Sequence, residues 1–188
     1  MLKAVLAVLG FLVMPPAVQA ADCSYNHAQL LALDYKAFDH EGWRSLAAID
    51  DCKLAAADLI RDYRGAHPDL SADNMRGLSW HEGQMRAAFG DYEGAIPLLS
   101  VDNPDPAMRD YAAATVAFLR HDKAALLAAR AQLIAEPKPD GWDEAVAELK
   151  ANGETILWPL NLEIVDGLIA CFDKPYAEAY GCRVKAAG

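Results

Sequence analysis

The chain has 188 residues, 54% of them apolar, and carries 27 Asp plus Glu against 17 Lys plus Arg, a net charge of −10. That length suits one domain. So acidic a surface repels phosphate backbones and anionic headgroups, which argues against nucleic acid and anionic membrane as partners.

The first twenty residues read as a secretory signal. Met1-Leu2-Lys3 supplies a short positive start, Ala4 to Met14 an almost unbroken apolar run, and Pro15-Pro16 a break. Val18-Gln19-Ala20 then places small side chains where a signal peptidase cuts. The apolar run is shorter than the roughly 20 residues a membrane-spanning helix needs, so cleavage is favoured over a retained anchor. Ala20-Ala21-Asp22, ahead of Cys23, lacks the small uncharged residue that lipid modification requires. Residues 21–188 are therefore expected to form one exported domain, periplasmic or secreted, with no membrane insertion after cleavage. Loss of Lys3 leaves 16 basic residues against 27 acidic ones, a net charge of −11.

Cys23, Cys52, Cys171 and Cys182 form two well-separated pairs, and an even count in an exported chain favours disulfides. Three connectivities are open, and the local pairing, Cys23 with Cys52 and Cys171 with Cys182, is expected. A zinc site is the alternative, but the close spacing of zinc ribbons and fingers is missing.

Apolar residues at three- and four-residue steps, with Ala, Leu, Arg, Glu and Asp dominant, predict helices throughout and no strand. The first covers Tyr25 to Asp39. A second runs from Trp43 to Arg64, with a candidate break at Asp50-Asp51, and Gly65 to Leu70 ends it. Ser71 to Asn74 opens a third that continues to Phe89. Gly90-Asp91 turns the chain into a fourth, Tyr92 to Ser100, with Pro97 as a candidate kink. Asn103-Pro104-Asp105-Pro106 is a stop. The fifth, Ala107 to Leu119, turns at Arg120-His121-Asp122 into a sixth, Lys123 to Ala135. After the loop Glu136 to Gly141 come a short helix, Trp142 to Ala151, and an Asn152-Gly153 stop. An apolar helix follows from Pro159 to Phe172, with Pro159 at its first position. A final turn runs from Asp173 to Tyr180.

The stretch Gly83 to Ile96 resembles the centre of a tetratricopeptide repeat (TPR). Gly83 stands where that family has a small residue at the helix crossing, Gly90-Asp91-Tyr92 matches its turn, and Ala95-Ile96 its small-plus-apolar pair. Thirty-one residues later Ala114 takes the place of Gly83, Asp122-Lys123 that of Asp91-Tyr92, and Leu126-Leu127 that of Ala95-Ile96. Gly42-Trp43-Arg44-Ser45-Leu46 looks like a third, degenerate turn, with Asp34 at its crossing position. The spacing departs from the family's repeat of about 34 residues.

The resemblance implies an all-α fold, a TPR-like α-solenoid of about three stacked antiparallel helix hairpins with C-terminal capping helices. It further implies a concave groove lined by Trp80, Gln84, Ala87 and Ala88, and from the next repeat Met108, Tyr111, Thr115 and Phe118. Such grooves usually take peptides or protein segments. The alternative is that Trp80, Tyr111 and Phe118 are packed by the chain's own termini.

Catalytic patterns fail. His81-Glu82 invites a metalloprotease reading, but Met85 stands where the second histidine is required. No Gly-x-Ser-x-Gly and no phosphate-cradling glycine loop occurs, and paired cysteines leave no thiol nucleophile. No cofactor and no metal are expected. The expected function is non-catalytic binding of a protein or peptide partner. An immunity protein against a periplasmic toxin and a structural accessory of an envelope complex are variants of it, and an envelope hydrolase or metal-dependent enzyme is the alternative class.

Overall fold

A computed structural model describes residues 22–151 and 156–182. The signal segment and the Asn152-Gly153 stop lie outside them. Every regular element among the described residues is helical, as the spacing of apolar residues predicts.

The N-terminal part is more broken than expected. Helix α1 spans His27–Leu31, with the Asn26 side chain accepting from the Gln29 amide. Asp34 then caps a new start by accepting from the Ala37 amide, so the expected helix over Tyr25 to Asp39 is interrupted. Helix α2, Tyr35–Ala37, runs into a π-helical turn, Phe38–Gly42, and then α3, Arg44–Ala47. The third, degenerate repeat turn is thus a widened helical turn and not a hairpin. Ile49 is extended, at φ −98° and ψ 118°, and a short 3₁₀ turn, Asp50–Cys52, leads into α4, Lys53–Ala66.

These pieces are held by a compact aromatic cluster. Phe38 stacks on Tyr63 at 3.6 Å, and the Tyr63 hydroxyl donates to the Leu33 carbonyl at 2.9 Å. Cys23 is bonded to Cys52, with Cα atoms 5.5 Å apart.

The central hairpins repeat each other in their turns and caps. Helix α5, Ala72–Phe89, ends at Gly90 with φ 101°, a left-handed conformation that glycine adopts without strain. The Asp91 carboxylate accepts from the Gly94 amide and starts α6, Tyr92–Leu99. Pro97 lies inside α6 without ending it. Helix α7, Pro106–Leu119, starts one residue earlier than expected, with Pro106 in its first turn and Asp105 as cap. It ends in a turn where His121 takes φ 56°, and the Asp122 carboxylate accepts from the Ala125 amide to start α8, Lys123–Ala135. The Asp91 amide donates to the Arg86 carbonyl at 2.9 Å, and thirty-one residues on the Asp122 amide donates to the Ala117 carbonyl at 2.9 Å. Small crossing residues let each pair approach. A Cβ on Gly83 would lie 2.8 Å from Leu99 Cγ, and Ala114 is fully buried.

Helix α9 spans Trp142–Ala151. The Trp142 ring meets Trp158 edge-on at 4.9 Å, and the Trp158 indole donates to the Glu136 carbonyl. Helix α10 begins at Leu162 rather than Pro159 and runs to Ala170. Asn161 is left-handed at φ 64°, so helical geometry cannot extend back to the proline. Helix α11, Tyr176–Gly181, folds back and is tied by the Cys171–Cys182 disulfide, with Cα atoms 6.4 Å apart. Both disulfides follow the expected local pairing. Helix α10 packs on α7 and α8, and α11 on α10 and α5.

Candidate functional site

The expected concave face is where the C-terminal helices sit. Ala87, Tyr111 and Phe118 are 1, 2 and 4% exposed and belong to the main core with Ile164, Val165, Leu168, Phe172 and Tyr176, and Thr115 is fully buried. Phe118 meets Phe172 edge-on at 5.9 Å and Tyr176 at 6.1 Å. The Tyr176 amide donates to the Tyr92 hydroxyl at 3.0 Å, fixing the start of α11 to the second helix of the first hairpin. A groove lined by these four residues is therefore corrected: they are core, because α10 and α11 bury them. Burial also pushes the Tyr111 phenol far up, so it stays neutral.

Trp80, Gln84, Ala88 and Met108 keep partial exposure and fall on two separate openings. Trp80 leans on Tyr111 at 5.1 Å and, with Met108, Leu98, Val101 and Pro104, borders a recess of about 260 Å³ where α5, the end of α6 and the start of α7 meet. Gln84 and Ala88 border a larger cleft of about 520 Å³. Its floor is α5, with His81, Gln84, Met85 and Ala88. Trp43, Arg44, Ala47, Ala48, Asp50 and Lys53 from α3 and the start of α4 form one wall. Tyr176, Ala177 and Tyr180 of α11 form the other.

The polar groups of the larger cleft hold one another in place. His81 Nδ1 is 3.3 Å from Gln84 Oε1, and His81 Nε2 lies 3.8 Å from Asp39 Oδ1. An amide oxygen only accepts, so Nδ1 carries the proton and donates to Gln84, leaving the Gln84 amide N–H groups as donors. Burial holds the His81 imidazole below its ordinary range, opposed by Asp39 and by the Gln84 hydrogen bond, so it is neutral at neutral pH. Arg44 lies 4.3 Å over the Trp43 ring and donates through Nε to the Asp39 carbonyl at 2.6 Å. Lys53 donates to the Ala47 carbonyl and lies 3.4 Å from Asp50.

Beneath the cleft α4 and α5 are joined by a buried ion network. Glu82, 3% exposed, accepts from Arg86 Nε at 2.9 Å and lies 3.4 Å from Arg64 Nη1. Arg86 also reaches Asp58 at 3.1 Å and Asp91 at 3.2 Å. Glu82, one half of the His81-Glu82 pair, is thus engaged by arginines and turned away from His81's cleft. No group of three or more His, Cys, Asp or Glu among the described residues is placed to hold a metal ion.

Of the residues expected in the site, only Trp80, Gln84, Ala88 and Met108 line an opening. Gly83 lies against Leu99, Gly90 and Asp91 form the turn between α5 and α6, Tyr92 opens α6, and Ala95 and Ala114 are buried. Trp43, Arg44, Lys53, Tyr176 and Tyr180 were missed. They come from the two ends of the chain, and no local pattern announces that α3 and α11 meet over α5.

No protein-family model matches the chain, and no curated protein or solved structure matches it either.

Proposed function

We propose that this chain is an exported TPR-like repeat protein that binds a protein or peptide partner and carries out no catalysis. The observation that carries the reading is the recurrence, thirty-one residues apart, of one hairpin geometry: a left-handed residue, an aspartate cap and a small crossing residue. Such stacked hairpins serve as scaffolds for recognition, although fold alone does not fix function. Two disulfides suit an oxidising compartment, and no helix among the described residues is long and apolar enough to cross a membrane.

With the concave face filled, the recess at Trp80 and Met108 is one of the two openings that residues of the implied groove still border. It places an aromatic ring and a thioether beside Leu98, Val101 and Pro104, the adaptable apolar surface that interfaces favour. The net charge of −11 on residues 21–188 favours a basic partner.

Affinity capture tests the reading. Residues 21–188, with disulfides formed, serve as bait against a native envelope extract, with the Trp80→Ala, Met108→Ala double variant alongside. One dominant partner, lost with the double variant, is the expected result. Partners retained equally by both forms overturn the placement, and the absence of any partner overturns the function.

A further inference from the structure

We infer that the larger cleft, between α3, α5 and α11, binds a small organic carboxylate with an apolar body, a role separate from the partner surface at Trp80 and Met108. Its volume of about 520 Å³ falls within the roughly 300–1,000 Å³ of small-molecule sites. It is lined as those sites are, mostly apolar with a few fixed polar groups.

The polar groups are biased toward donors, against the acidity of the chain as a whole. Arg44 spends Nε on the Asp39 carbonyl and stacks on Trp43, which fixes the guanidinium at the lip with N–H groups to spare. Lys53 stands beside it on the same wall. Gln84 has its oxygen occupied by His81 and its side chain in polar contact with the Tyr176 phenol, which fixes it on the floor of the cleft. The Tyr176 hydroxyl is itself buried, and the residue adds ring surface to the opposite wall. Against these stands one lining carboxylate, Asp50, whose side chain is 99% exposed and therefore screened by solvent. Asp39 sits behind the wall, 16% exposed, occupied by the Trp43 indole at 3.4 Å and by Arg44 at 3.6 Å.

This lining selects an anion over a cation. Ala47, Ala48, Met85, Ala88 and Ala177 leave an apolar space beside the donors that an inorganic oxyanion would not fill. A carboxylate on an aromatic or aliphatic body uses both: the charge at Arg44 and Lys53, the body across α5 toward Tyr180.

The test uses residues 21–188 with ¹⁵N-labelled tryptophan and histidine. It is titrated with 3-phenylpropionate, hexanoate, their matched primary amides, and an acetylated tripeptide ending in a free Phe carboxylate. The acids are expected to move the Trp43 indole and His81 signals and to bind about tenfold more tightly than the amides, the factor that one charge-assisted hydrogen bond supplies. Arg44→Gln and Lys53→Gln should weaken the acids and leave the amides unchanged, with melting temperatures held, while Trp80→Ala changes neither. Equal binding of acid and amide overturns the inference, as does the failure of every acid to move these signals at millimolar concentration. Movement by the tripeptide alone also overturns it, in favour of a peptide end as occupant. None of these outcomes bears on capture through Trp80 and Met108, so the two readings fail separately.

Discussion

Substitution Glu82→Gln keeps the shape of the side chain and removes the only negative charge buried between Arg64 and Arg86. Glu82 is 3% exposed, while the two arginine side chains are 21% and 13% exposed. Removing one partner of a fully buried pair costs about 3–5 kcal/mol, because a charge is left without compensation. Here both cations keep some solvent, and Arg86 keeps Asp58 and Asp91 at 3.1 and 3.2 Å. The expected loss is therefore smaller, about 2–3 kcal/mol, or about 5–10 °C in melting temperature for a domain of this size. Urea unfolding followed by far-ultraviolet circular dichroism should show a lower midpoint at unchanged slope, since the surface exposed on unfolding is the same. The triple variant Arg64→Met, Glu82→Leu, Arg86→Met should recover much of the loss, because no unpaired charge remains buried; Asp58 and Asp91, which lose Arg86, are 39% and 35% exposed. A Glu82→Gln protein within about 0.5 kcal/mol of the parent would refute the idea that this network ties α4 to α5.

Gly167→Ala places a methyl group against the backbone carbonyls of Cys182 and Ala179, which cannot move aside as a side chain can; thermal melts should show a loss of about 1–3 kcal/mol. Replacing Cys171 and Cys182 together by alanine opens a loop with a sequence separation of 11, and should cost about 3 kcal/mol by urea unfolding in the chain-entropy model. His81 is held below its ordinary pKa of 6.5, so the unfolded chain takes up the proton first as the pH falls. Its contribution is complete above pH 6.5 and is lost below it; in matched melts across that range the parent should lose stability relative to His81→Gln.

The middle of the fold was legible because its instructions are local. Asp91 and Asp122 each cap the helix they precede, Gly90 fits the left-handed turn, and Gly83 and Ala114 are small where helices cross. His121 shows how far the pattern carries, holding at φ 56° the place that glycine holds in the first hairpin. The N-terminal part misled because helical spacing persists through Tyr25 to Asp39 while Asp34 offers the backbone a competing cap. Pro159 misled for a related reason: a proline suited to a first helical turn stands before Asn161, whose left-handed backbone resets the start to Leu162. The cleft was illegible, because Arg44 and Tyr180 become neighbours only through the docking of α11.

That docking also explains why the expected face is filled and why a cleft remains. An array with two well-formed hairpins, α5–α6 and α7–α8, exposes the apolar face of α7, and α10 covers it with Ile164, Val165 and Leu168. Helix α11 is drawn onto α5 by the Cys171–Cys182 bond, by the close approach at Gly167 and by the Tyr176–Tyr92 hydrogen bond. It is six residues long, too short to cover the whole of α5, which has eighteen. From the other side α3, only four residues long, stops equally short. Two short elements from opposite ends of the chain thus meet over one long helix without closing. The gap between them inherits donors from α3 and the start of α4, a floor of paired polar and apolar residues from α5 and aromatic rings from α11. Filling the gap from α11 with Ala177→Trp, at an exposed position that lines the cleft, should therefore abolish carboxylate binding while leaving capture through Trp80 and Met108 intact.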